Sequence, residues 1–175
     1  NKGLEILEAH FLFGVAPSAI DVLLHPQSLI HSMVEFCDGS IVAQMARNDM
    51  RFPILYALAY PERLTNPFGE LSLSGARLEL SAVDPERYPA IGLAREALAE
   101  GGAAPAVLNA ANEVAVESFL SGKIRFPAIV RIVAETRTAF GRRAAPESVA
   151  EAEEIDVRAR ETAMQIATRL SGVRV

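Results

Sequence analysis

The sequence predicts an α+β chain: an antiparallel hairpin region, then a linker, then a small C-terminal helical bundle. Three observations carry this. Asp38-Gly39 lies between two apolar runs, residues 28–37 and 40–45, where a hairpin turn would fall. Pro, Gly, Asn and Ser crowd residues 61–85, a composition shift that marks a domain boundary. From residue 88 onward the chain is rich in alanine, with apolar residues at helical spacing and Pro and Gly at the helix ends.

The elements follow in order. Leu4, Ile6, Leu7 and Phe11 fall near helical spacing, so residues 3–13 read as a short helix stopped by Gly14. Residues 19–24 read as a strand ending at His25-Pro26. If Asp38-Gly39 forms a two-residue turn, Phe36 faces Ile41, Val34 faces Ala43 and Ser32 faces Met45. One face of the hairpin is then mostly apolar, and the other carries His31, Met33, Glu35, Cys37, Val42 and Gln44. Such a mixed face can be solvated, line a site or meet a partner subunit. Residues 50–60 read as a helix with Pro53 in its first turn, and residues 71–80 as a short extended piece in the linker. Helices are expected over 88–100, 105–120 and 127–140. Ser148 with Glu151 resembles a capping box for a short helix. Asp156 is the expected cap of a last long helix, whose stripe is Ile155, Ala159, Ala163, Ile166 and Leu170. Short loops between these helices favour antiparallel neighbours.

The chain has 175 residues, half of them hydrophobic and 22% charged, enough for one ordinary domain or two small ones. The net charge of −5 and the dispersed basic residues argue against a partner held by nucleic-acid phosphates. No apolar run reaches the length of a membrane span, and no leader peptide is visible, so no membrane partner is expected. The single cysteine, Cys37, excludes an internal disulfide and fits a reducing compartment. The first residue is Asn1, not Met, and strong pattern begins at once, which leads to the expectation of a segment from within a longer protein.

Chemistry is concentrated in few places. No Ser-His-Asp order, zinc cluster, GxGxxG or Walker sequence is present. Asn1-Lys2-Gly3-Leu4-Glu5 opens a helix, where unpaired N–H groups and a partial positive charge suit a phosphate. Lys2 adds a full charge and Asn1 a side-chain donor. Gly3 allows a ligand to approach the backbone. Glu5 lies three residues past Lys2, near one helical face, where it could hold a divalent cation. Taken alone, the pattern reads more readily as a surface helix start with an i,i+3 ion pair, a weak contact of ~0.2–0.5 kcal/mol. His25 and His31 are candidates for acid, base or ligand roles, although a spacing of six matches no metal pattern and two hydrogen-bonded structural histidines is the plainer reading. Asn109 and Asn112, inside a helix, read as hydrogen-bonding structural residues. Cys37 reads as an inert strand residue.

Together these stretches resemble one family. Asn1-Lys2-Gly3-Leu4-Glu5 with Glu8-Ala9 resembles the NKGLE-x-x-EA segment of the 1-deoxy-D-xylulose 5-phosphate reductoisomerases. His25-Pro26-Gln27-Ser28 with His31-Ser32-Met33-Val34 resembles their HPQS-x-x-HSMV segment. Asp38-Gly39-Ser40, Ala43-Gln44, Asp49-Met50-Arg51, Arg87-Tyr88-Pro89 and residues 108–113 follow in order. The resemblance covers nearly the whole chain. Asn48 stands where a proline is expected, and residues 64–76 match poorly.

The resemblance implies an enzyme that rearranges 1-deoxy-D-xylulose 5-phosphate and reduces the product with NADPH to 2-C-methyl-D-erythritol 4-phosphate. This is a step of the non-mevalonate isoprenoid route and a target of fosmidomycin. It implies magnesium or manganese, with Glu5 as one carboxylate of the metal site and two further carboxylates upstream. Asn1, Lys2 and Glu5 would contact the phosphorylated sugar. His31 would be a catalytic-site histidine, and Met50 would lie near the site. Residues 1–60 would end the α/β catalytic region, which also forms a homodimer contact. Residues 61–86 would be the linker and 87–175 the helical bundle, with the NADPH-binding domain absent from this segment, so that the fragment alone would be inactive. The expected setting is the bacterial cytoplasm, a plastid being compatible as well. A different reading needs none of this chemistry: a non-catalytic interaction module, its hairpin edge pairing two chains and its bundle a structural cap.

Overall fold

The computed structural model of the chain describes residues 1–171. The last four residues of the expected bundle lie outside the described residues. By contacts the chain divides into two compact units: Asn1–Asp21 with Asp84–Val175, and Val22–Val83. The break near residue 83 falls inside the expected linker. The first helix groups by contacts with the C-terminal helices, which the chain order alone does not suggest.

The first unit is helical. Helix α1, Lys2–Phe13, ends at Gly14, whose left-handed φ of 65° lets its N–H reach the carbonyl of His10. After residue 84 come α3, Pro89–Glu100, α4, Ala104–Leu120, α5, Ala128–Phe140, and α6, Val149–Ser171. Helix α4 lies against α3, α5 and α6, and α1 lies against α3. The core is built largely of alanine. Ala94, Ala97, Ala110, Ala111, Ala115, Ala159 and Ala163 are fully buried, and Ile132 is the bulkiest residue of the main cluster that is equally buried. Alanine at the crossings lets helix axes come close, and the few large side chains fill what remains.

Two expectations for the last helix are corrected. Ser148 Oγ does accept the Glu151 N–H at 3.2 Å, while the Glu151 carboxylate accepts the N–H of Glu147 at 2.8 Å, one residue earlier than a capping box requires. That start opens one continuous helix of 23 residues. Asp156 therefore caps nothing. It lies inside α6 and accepts from Arg160 Nε at 2.6 Å. The expected stripe holds: Ala159, Ala163 and Ile166 are buried, and Ile155 and Leu170 pack at its edges.

The expected strand at 19–24 is mostly absent. Pro17–Ala19 form a 3-10 turn, and the Pro17 and Ile20 carbonyls accept the Arg95 guanidinium at 2.8 and 2.6 Å. Those carbonyls are satisfied by a side chain and need no strand partner.

The second unit holds β1, Leu23–Leu24; β2, Ile30–Glu35; β3, Ile41–Met45; α2, Arg51–Ala59; and β4, Ser81–Ala82. β1 pairs antiparallel with β4. The extended piece expected at 71–80 forms no strand; β4 begins just past it, at Ser81. The hairpin of β2 and β3 exists where expected, in a different register. Phe36 N–H donates to Ser40 O, and Gly39 N–H to Phe36 O, both at 2.9 Å, so the loop has three residues, Cys37-Asp38-Gly39. Gly39 has a φ of 81°, and Asp38 does not share the positive φ that a two-residue turn demands. The Asp38 carboxylate selects this loop by accepting both the N–H and the Oγ–H of Ser40, at 2.8 and 2.6 Å. Val34 consequently faces Val42, and Met33 faces Ala43. A one-residue slip exchanges faces, so Met33 and Glu35 share a side with Ile41 and Ala43, and Val42 and Gln44 lie on the other. His31 falls at the irregularity between Ile30 and Ser32.

Candidate functional site

The start of α1 gathers three of the residues singled out in the sequence. Glu5 N–H donates to the Asn1 carbonyl at 3.0 Å, closing the first turn. That turn brings the side chains together. Asn1 Nδ2 donates to one Glu5 carboxylate oxygen at 2.7 Å, and Lys2 Nζ to the other at 2.5 Å. Lys2 and Glu5 stay open to solvent, at 60% and 42% side-chain exposure. An exposed i,i+3 pair of this kind is worth only ~0.2–0.5 kcal/mol. An anion on Lys2, or a cation on Glu5, can therefore displace it at little cost.

Gly3 has a different role from the one expected. It is buried, and what approaches its backbone is α3. A Cβ built on Gly3 would lie 3.1 Å from the Ala90 carbonyl oxygen and 3.2 Å from Ala94 Cβ. Beside it is a small cavity of about 40 Å³ whose lining includes Asn1, Gly3, Leu4, Leu108, Asn112 and Val133. The sequence offered one signal for this wall, the two asparagines inside α4. Asn112 lines the cavity, and Asn109 Nδ2 donates to Glu113 at 3.0 Å. Glu113 also accepts Arg160 at 2.6 Å, and that guanidinium holds its carboxyl below the usual carboxylate range.

His31 and Met50 belong to the second unit. His31 is exposed, and its Nε2–H donates to the Ala46 carbonyl at 3.1 Å. A carbonyl only accepts, so in the neutral ring Nδ1 is left as the acceptor. Met50 is 70% exposed and directly precedes α2. Its neighbours fix the turn. Asp49 takes the Arg51 N–H at 2.9 Å and the Arg51 guanidinium through Nε and Nη2, and these bonds hold its carboxyl down at about 2. The same guanidinium lies 4.3 Å from the centre of the Phe68 ring.

His25 is hydrogen-bonded through one ring nitrogen, while its Nε2 is buried without a partner. Its Nδ1–H donates to the Glu79 carbonyl at 2.8 Å. Gln27 exchanges two bonds with Glu79, Nε2 to its carboxylate at 3.1 Å and Oε1 from its N–H at 3.2 Å. Nothing in the sequence pointed to Glu79, which lies more than fifty residues away. Cys37 is exposed and free. Among the described residues, no three His, Cys, Asp or Glu side chains gather as a metal-ion cluster, and no helix is long and apolar enough to cross a membrane.

The fold is that of the reductoisomerases. A solved structure of the Zymomonas mobilis 1-deoxy-D-xylulose 5-phosphate reductoisomerase in complex with NADPH superposes with a TM-score of 0.88 at 45% identity, covering 95% of this chain and 44% of that one. A DOX-P reductoisomerase in complex with NADPH, fosmidomycin and magnesium gives 0.87 at 37% identity, covering 98% and 44%. Residues 45–162 match the family described as DXP reductoisomerase C-terminal domain. Among curated relatives, the 1-deoxy-D-xylulose 5-phosphate reductoisomerase of Cupriavidus metallidurans is 58% identical over 135 residues, 77% of this chain and 34% of the relative. That of Nitrosomonas eutropha is 50% identical over 167 residues, 93% and 40%. The chain belongs to the DXP reductoisomerase family. It spans well under half the length of the relatives it matches.

Proposed function

We propose that this segment supplies one metal carboxylate and part of the substrate site of a 1-deoxy-D-xylulose 5-phosphate reductoisomerase. That enzyme rearranges its substrate and reduces the product with NADPH to 2-C-methyl-D-erythritol 4-phosphate, on the non-mevalonate route to isoprenoid precursors. One observation carries the reading: Asn1, Lys2 and Glu5 converge within hydrogen-bond distance at the start of one helix. A bare ion pair would need neither Asn1 nor the helix start. A sugar phosphate uses all three, a hydroxyl or phosphate oxygen taking the Lys2 ammonium and the Asn1 amide.

The donor set fits a share of a magnesium or manganese site. Magnesium asks for several oxygen ligands in octahedral order. This turn offers one anionic carboxylate, Glu5, whose present partners are weakly held. When bound, the cation would act as a Lewis acid on the substrate's carbonyl and hydroxyl oxygens. Lys2 and Asn1 orient the phosphorylated sugar and, in its absence, keep the Glu5 carboxylate turned toward the helix start. His31 is a candidate for orienting neighbours or moving a proton at Nδ1, and Met50 for lining the site. The solved relatives in complex with NADPH, and with NADPH, fosmidomycin and magnesium, support the cofactor assignment. NADPH would be held by parts of the enzyme outside the stretch matched here.

On this reading, residues 1–60 serve the catalytic region, 61–86 link, and 87–175 form the bundle, in a bacterial cytoplasmic enzyme. A homodimer contact through the hairpin is part of the proposal, supported by the exposure of Met33, Val34, Phe36, Ile41 and Val42. Light scattering at high concentration should give a dimer mass, and a monomer throughout would remove that part.

The activity is tested in an enzyme of full family length carrying this segment, by following NADPH oxidation with 1-deoxy-D-xylulose 5-phosphate and manganese. Glu5→Gln should lower the rate by about a hundredfold or more, the several kcal/mol that a metal ligand supplies. Full activity in a folded Glu5→Gln enzyme would end the assignment.

A further inference from the structure

We infer that Gly3 is a positioning residue: its missing side chain seats α1 on α3 and thereby sets where Glu5, Lys2 and Asn1 present their polar groups. This rests on the reading of that turn as a metal and substrate site. Contacts of 3.1 Å to the Ala90 carbonyl and 3.2 Å to Ala94 Cβ are tighter than a Cβ ordinarily accepts. With any side chain at position 3, one helix must give by a few tenths of an ångström.

The structure decides which one gives. Helix α3 is held from its other side. Ala94 and Ala97 pack in one cluster with Leu108 and Ala111 of α4 and Ile132 of α5. Arg137 of α5, with its side chain only 11% exposed, donates to the Leu93 carbonyl, Glu96 and Glu100, each at 3.2 Å. Helix α1 buries only Gly3, Ile6 and Leu7, and its main packing partner is α3. So α1 moves, and Glu5, two residues from Gly3, moves with it. Magnesium demands near-ideal octahedral ligand positions, and groups that orient a metal ligand typically affect affinity by 10–100-fold. The seat is therefore a determinant of metal affinity that touches neither metal nor substrate.

The test uses an enzyme of full family length and titrates manganese by the electron paramagnetic resonance signal of the free ion, beside melting curves and the KM for NADPH. Gly3→Ala should remain folded, weaken manganese binding about tenfold and leave the NADPH KM unchanged. The double variant Gly3→Ala, Ala94→Gly removes the Cβ that the new methyl meets. It should recover most of the manganese affinity while melting below the single variant, because glycine weakens α3. Damage to stability alone predicts the opposite order. Manganese binding at the parental level in Gly3→Ala, or no recovery in the double variant, would overturn the inference. Should Gly3→Ala not fold, Ala94→Gly opens the seam from the other side without crowding it. A shifted manganese constant there upholds the inference, and an unshifted one overturns it. Glu5→Gln is titrated alongside. Binding kept in that variant removes the site reading and this inference with it, while binding lost there but kept in Gly3→Ala overturns the inference alone.

Discussion

The two units of this chain reach burial by different routes. Among the described residues, every buried one lies in the helical unit, with Ile6 and Leu7 of α1 and the alanine-lined crossings of α3 to α6 at its centre. In Val22–Val83 no residue is buried, and Met33, Val34, Phe36, Ile41 and Val42 stand exposed on the hairpin. A two-stranded hairpin by itself is marginal in water. The helical unit carries its own core, whereas the hairpin unit buries none of its residues. The candidate metal carboxylate, Glu5, stands on the self-sufficient unit. His31 and Met50 stand on the one that is not. A site that must hold ligands to a few tenths of an ångström gains from being built on packed helices.

Substitutions sharpen this contrast. Ile132→Ala should destabilise the helical unit by about 2–5 kcal/mol, the range for emptying a fully buried aliphatic site, read by denaturant melts of this chain. Val42→Thr, at a position 62% exposed, should change the same melt by no more than about 0.5 kcal/mol. Equal effects from the two would erase the distinction between the units.

A smaller effect probes the hairpin unit by pH. Asp49 titrates at about 2, below its ordinary 3.8, because Arg51 bonds its charged form. A group with a depressed folded pKa stabilises above its unfolded value and loses that contribution as pH falls through the folded one. The turn before α2 should therefore be fully held above pH ~4 and loosen between pH ~4 and ~2. A carbon-detected NMR titration of the Asp49 carboxylate gives the midpoint. A midpoint near 4 would mean that the Arg51 clamp does not persist in solution.

The sequence made the helices legible because Pro, Gly and apolar spacing act locally. It made the hairpin's existence legible for the same reason, through Asp38-Gly39. The register was not legible, since Asp-Gly fits both a two-residue and a three-residue loop. The choice came from the Asp38 side chain bonding Ser40. The continuous α6 was misread because Asp156, a good cap by type, instead meets Arg160 one turn on. At the site, the convergence of Asn1, Lys2 and Glu5 follows from spacings of three and four. The α3 surface that seats Gly3, and Glu79 opposite His25, lie fifty to ninety residues away, where no local rule reaches.

The candidate turn stands on the unit that carries its own core. Amide hydrogen exchange on this chain tests that most directly. The amides of residues 5–10 in α1 should be protected together with those of α4 and α5, and the β2–β3 hairpin should exchange about a thousandfold faster, a gap of roughly 4 kcal/mol in opening free energy. Hairpin amides as slow as the bundle, or α1 amides as fast as the hairpin, would contradict it.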